Sequence, residues 1–126
     1  MDIAEPGDMT PDELRARTQA FAVQIVRVVQ PLTSAPVAGL IARQLLRSGE
    51  SIGSNYRSAC RAKSPADFVA KMKIVEEESD ETAYWLELLA ESSLSPRDAV
   101  LPLLQEAREL IAIAAASVRT ARARRR

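Results

Sequence analysis

Residues 64–98 read SPADFVAKMKIVEEESDETAYWLELLAESSLSPRD, and this stretch decides the fold. It opens on Ser64-Pro65-Ala66-Asp67 and closes on Ser95-Pro96-Arg97-Asp98, two copies of one helix-start signal. In each copy a hydroxyl can cap free backbone N–H groups, and proline takes the first helical position, where its missing donor costs nothing. A carboxylate then sits where the helix dipole favours it. Between the two marks Phe68, Met72, Val75, Thr82, Trp85 and Leu89 recur at helical spacing, which predicts one long helix with a single apolar stripe.

The same grammar extends to both sides. Thr10-Pro11-Asp12-Glu13 is a third copy of the start signal, and Ser34-Ala35-Pro36-Val37 offers a fourth just after Pro31, which must end or bend whatever precedes it. Leu14, Phe21, Ile25 and Val28 stripe the first segment, and Ile41, Leu45, Ile52 and Tyr56 the second. Val100, Leu103, Ala107, Leu110, Ala114 and Val118 stripe the fourth. Segments of about 20 to 27 residues make rods of about 30 to 40 Å, and short connections force neighbours to run antiparallel. The expected fold is therefore all-α: an antiparallel up-down-up-down four-helix bundle over residues 10–118. A loose tail, 1–9, precedes it and a basic arm, 119–126, follows.

Composition agrees. In 126 residues, 47% are hydrophobic but only 4% are aromatic, with 4 glycines, so the core must be built from Ala, Leu, Ile and Val, as in a helical protein. Cys60 is the single cysteine, so no internal disulfide can form and the cytoplasm is the expected compartment. The opening MDIAEPGDM is acidic, unlike a secretory leader, and no uncharged run is long enough to span a bilayer, so no membrane association is expected.

Charge is balanced in total, 17 against 17, but segregated along the chain. Residues 37–63 carry Arg43, Arg47, Arg57, Arg61 and Lys63 against Glu50 alone, whereas residues 65–91 set Lys71 and Lys73 against eight carboxylates. The second and third helices are thus electrostatic complements. Arg119, Arg122, Arg124, Arg125 and Arg126 make the end basic after the apolar periodicity has stopped, as expected of a frayed, exposed arm.

Catalytic groups are scarce. The chain has no histidine, which removes the Glu-x-x-His pairs of di-iron bundles and the usual Ser-His and Cys-His nucleophile pairs. The acidic third helix reads as a solvated face rather than a metal site, and Cys60 as a buried or idle thiol. No catalytic residue, metal or cofactor is expected, and the chain is read as non-enzymatic. The second helix is more informative, because QLLRSGESIGSNYRSA, residues 44–59, places small and polar residues where a plain bundle would place aliphatic ones. Ser48 and Asn55 fall on or beside the apolar stripe and need hydrogen-bond partners, for which Glu78, Glu81 and Trp85 are candidates. Arg47, Ser48, Ser51, Asn55 and Glu81 form an expected polar layer, either fixing helix register or lining a ligand pocket. Gly49 and Gly53, four apart, invite close approach of another helix, from the same bundle or, in the preferred reading, from a second subunit.

QLLRSGESIGSNYRSA, SPADFVAKMKI and DETAYWLELL, in this order and spacing, resemble the signature blocks of the four-helix-bundle proteins encoded in 23S rRNA intervening sequences. The resemblance runs from about Phe21 to Leu89 and more loosely through the fourth helix. It places Arg47, Ser48, Ser51, Ile52 and Asn55 in the second-helix block, and Phe68, Glu81, Thr82 and Trp85 in the third. The sequence departs from the pattern at Ser58, Glu76 and Glu78. The related accessory variability proteins of diversity-generating retroelements are pentameric barrels that present a basic surface to nucleic acid and to a reverse transcriptase. The resemblance accordingly implies a ring-shaped homo-oligomer, a pentamer, that binds RNA or DNA and serves as an accessory factor to a reverse transcriptase.

On that reading Arg43, Arg57, Arg61, Lys63, Arg119, Arg122, Arg124, Arg125 and Arg126 are the expected phosphate contacts. No aromatic residues interleave with the terminal arginines, so stacking on unpaired bases is not expected of them. The alternative is an interaction adaptor that holds a partner protein without binding nucleic acid.

Overall fold

The computed structural model describes residues 9–124 and contains, among them, four long helices and no strand. These are α1 (Pro11–Val29), α2 (Ala38–Cys60), α3 (Pro65–Glu91) and α4 (Arg97–Arg124), with a short 3₁₀ turn at Gln30–Leu32 between the first two. The all-α expectation holds, and the helical packing is that of a bundle. Residues 1–8, most of the expected tail, and Arg125 and Arg126 lie outside the described residues.

Two of the start signals form as their chemistry requires. Thr10 accepts from the Glu13 amide at 3.1 Å while Glu13 reaches back to the Thr10 amide at 3.2 Å, a reciprocal capping box ahead of Pro11. Ser64 accepts from the Asp67 amide at 3.0 Å ahead of Pro65. The Asp67 carboxylate in turn accepts from the Lys63 amide, which, with Lys71, holds it below the usual carboxylate range. The signal at Ser34 does not cap. Instead Pro31 starts the 3₁₀ turn, the chain coils through residues 33–37, and α2 begins at Ala38 with no side-chain cap. Gly39 is required there, because a Cβ would lie 2.8 Å from the Thr33 carbonyl oxygen. The turn after α3 passes through Ser93 at φ 60°, the left-handed conformation that commonly ends a helix.

One core runs the length of the bundle, with Phe21 and Ile25 from α1, Leu45 and Ile52 from α2, Met72, Leu86 and Leu89 from α3, and Val100 and Leu110 from α4, all essentially out of water. Val28 and Ile41, expected in the stripe, are only half-buried, because the close-packed positions beside them are Val29 and the small residues Ala38 and Ala42. Helices α2, α3 and α4 pack broadly on their chain neighbours, and α1 rests mainly on α2. The seam between α1 and α4 is closed by charge. Arg17 grips Glu106 through two bonds of 2.7 Å and reaches Glu109 at 2.6 Å, the bidentate geometry that makes guanidinium–carboxylate pairs strong.

Residues 119–124 of the basic segment are helical. α4 continues past Val118 to Arg124, because Ala116, Val118 and Ala121 keep a small apolar face against the bundle. No helix among the described residues is long and apolar enough to cross a membrane.

Candidate nucleic-acid interface

The alternation of helix direction brings the start of α1, the end of α2, the start of α3 and the end of α4 to one end of the bundle. Both rising charges of the sequence meet there: Arg57, Arg61 and Lys63 at the end of α2, and Arg119, Arg122 and Arg124 at the end of α4. All six are exposed, and among the described residues none forms an ion pair with a carboxylate. In the body of the bundle, by contrast, Arg17, Arg47 and Arg108 are each neutralised by glutamates of a neighbouring helix. Arg43 does not join the cluster. It stands 14 residues before Arg57 on the same helix, about 21 Å away along the axis.

A cleft of about 670 Å³ opens at this basic end, between the start of α1, the α2–α3 turn and the last turns of α4. Leu14, Tyr56, Phe68 and Ile113 give it apolar walls, while Arg15, Lys63 and Arg124 bring cations to it. Arg15 is itself paired with Asp12. Cys60 lines the same cleft and is exposed, which removes the buried alternative of the expected buried or idle thiol. It is the last residue of α2, at the mouth of the α2–α3 turn. Tyr56, deeper in, has its phenol pushed upward from the usual value chiefly by burial. Sequence reading missed this cleft because its walls come from four separate segments.

The second-helix polar residues have a different job. Ser48 and Thr82 are buried with their hydroxyl oxygens 2.9 Å apart across α2 and α3, and each also lies within reach of a carbonyl of its own helix, Leu45 and Glu78. Two protons thus serve a chain of acceptors with nothing left bare. Outside them Ser51 donates to Glu78 at 2.7 Å, Arg47 donates to Glu78 and Glu81, and the Trp85 indole donates to Glu81 at 3.0 Å. Asn55 departs from the expected layer: its amide turns back to the Ser51 carbonyl at 2.8 Å and does not cross to α3. The layer lies between two helices of one chain. Gly49 and Gly53 also look inward. A Cβ on Gly49 would lie 3.0 Å from Ile25, and one on Gly53 3.3 Å from Thr18, so the glycines let α1 approach α2 and are not left for a second subunit.

The Trp85 indole and then the Arg47 guanidinium hold the Glu81 carboxyl below its usual value. A depressed folded value means the stabilisation is complete above the unfolded value of about 4.3 and is lost as pH falls through the folded one. Glu81→Gln is therefore expected to be less stable than the native chain at neutral pH, with the gap closing in acid, below the unfolded value. With the Arg47 side chain 50% exposed and that of Glu81 35%, the gap should stay below about 1 kcal/mol. Urea denaturation at neutral and acid pH measures it, and a gap that persists in acid would assign the effect to packing instead of charge.

The comparison with known families decides where the chain belongs. The model of the 23S rRNA-intervening sequence protein family matches residues 13–116, which spans all four helices. The chain belongs to that family. A crystal structure of a protein of unknown function from the S23 ribosomal protein family of Bacteroides thetaiotaomicron VPI-5482 is similar to it, with 32% identity and a TM-score of 0.81. The likeness covers 88% of this chain and 99% of that one. No curated protein matches. The family match thus covers the polar layer and Arg57, Arg61 and Lys63 of the basic end, and stops at 116, short of Arg119, Arg122 and Arg124.

Proposed function

We propose that this chain works by binding, as a homo-oligomer that holds RNA or DNA through phosphate contacts at the basic end of the bundle. The observation that carries the reading is the gathering of six exposed cations, unpaired among the described residues, from two segments far apart in sequence. Cations at helix C-termini are favoured by the dipole, but that effect is confined to the last turn and does not extend to Lys63 in the following connection. A polyanion supplies the missing counter-charge. Fluorescence anisotropy of labelled RNA and duplex DNA across a salt series tests the reading. Affinity should fall steeply and linearly on a log–log plot, and absence of binding at low salt would discard it in favour of the protein-adaptor reading.

A specific observation supports self-association through the other half of the molecule. Among the described residues, the large apolar side chains left exposed are Val23, Val26, Val37, Leu40, Tyr84 and Leu101, all in the half away from the cations, and Ile74, which is not. Val37 at 62% and Leu40 at 59% are the most exposed of them. Assembly through that half would leave the basic ends facing outward. Light scattering should give a mass several times the 13.8 kDa of one chain, and Leu40→Glu should lower it without loss of helicity. A native chain that runs as a monomer would remove the oligomer from the proposal and leave the basic end to act alone.

A further inference from the structure

We propose that the cleft at the basic end seats one unpaired nucleotide of a bound strand, an inference that rests on the phosphate-binding role proposed above and names the form of nucleic acid preferred. The terminal arginines have no aromatic neighbours in sequence, but the fold brings two rings to them: Tyr56 and Phe68 line the same cleft as Arg124 and Lys63. Phe68 is half-buried and offers a ring against which a base can lie, with Leu14 and Ile113 completing an apolar slot. At about 670 Å³ the cleft is within the range of roughly 300–1,000 Å³ typical of small-molecule sites.

The cations beside the slot select among apolar ligands. Lys63 and Arg124 stand where the phosphate of a seated nucleotide would lie, and Arg61 and Arg122 continue the charge on either helix end, as a continuing strand requires. A base within a duplex is paired and stacked and would have to be extruded first, at a cost of a few kcal/mol. An unpaired base enters without that penalty. The preference is expected to be tolerant of base identity, because every base presents an aromatic face.

Cys60 gives a direct readout, since it is the only cysteine in the chain, is exposed, and lines the cleft. The full-length protein is saturated with a short oligothymidylate, or with an abasic oligomer of the same length and charge, and the rate of Cys60 alkylation by N-ethylmaleimide is followed. The oligothymidylate should slow alkylation severalfold and bind about fivefold to a hundredfold more tightly than the abasic strand, the span that one stacked base contributes. Phe68→Leu, which removes the stacking ring but keeps apolar bulk and every cation, should reduce that difference strongly while keeping the affinity for the abasic strand. Equal affinity and equal alkylation rates with the two strands, or a preference undiminished in Phe68→Leu, would overturn the inference while leaving phosphate binding intact. Failure of both strands to bind would be a failure of the phosphate-binding reading, and the nucleotide site would fall with it.

Discussion

Gly49→Leu is expected to destabilise the chain by about 3 kcal/mol or more, enough to unfold a marginal domain of this size. Even a single methyl group at position 49 would sit 3.0 Å from Ile25 Cγ1 and 3.1 Å from its Cγ2. Ile25 is fully buried and cannot step aside without displacing other core residues. A leucine therefore has to push α1 away from α2, opening the packing that Gly49 and Gly53 permit. Gly49→Ala sets two effects against each other: the gain of up to about 1 kcal/mol in helix propensity and an overpacking cost of about 1 to 3 kcal/mol. The net should be a modest loss. Gly53→Ala meets Thr18 only at 3.3 Å and should come out near neutral.

The decisive measurement is a double-mutant cycle in urea. Ile25→Ala alone opens a cavity and should cost about 2 to 5 kcal/mol, but it also deletes both atoms that Gly49→Ala would strike. The two substitutions together should be less harmful than the sum of their separate costs, by about 1 kcal/mol or more. Strict additivity would mean that the helices already separate freely at this point. Because the contact lies within one chain, the coupling should not depend on protein concentration, which distinguishes it from a contact across a subunit interface.

The course of the four helices was legible because it depends on local chemistry. Thr10 and Ser64 cap with their own neighbours, and the stripe residues Phe21, Leu45, Met72 and Leu110 declare burial by spacing alone. The pairing of Arg47 with Glu81 was legible for a related reason: opposite charge on two helices that must lie side by side. What escaped was anything that depends on which face meets which. Gly49 reads equally well as an inward or an outward contact until Ile25 is seen against it. Asn55 has donors enough to cross to α3 but finds the Ser51 carbonyl four residues back, the cheaper partner for a short amide side chain. The cleft walls are separated by as much as the length of the chain, from Leu14 to Arg124, and no local period marks them.

The basic end should reveal itself most strongly in the salt dependence of nucleic-acid binding. If each of Arg57, Arg61, Lys63, Arg119, Arg122 and Arg124 neutralises one phosphate, affinity for duplex DNA should fall about a thousandfold between roughly 50 and 200 mM salt, following a slope of about −0.9 per phosphate. Changing Arg61, Lys63, Arg122 and Arg124 together to Gln leaves two of these contacts, and the same salt step should then cost only about tenfold. All four side chains are exposed, so helicity and urea stability should hardly change. A matched control separates position from charge: Arg43→Gln with Arg97→Gln removes exposed cations in the opposite half, where α2 and α4 begin. The control should leave the slope as it was. Were it to flatten the slope as much per charge as the end variant does, binding would follow net charge alone, and the convergence of α2 and α4 would have no part in it. A slope that falls only with the end variant would mean that the phosphates lie across those two helix ends, with the outward faces of the bundle untouched.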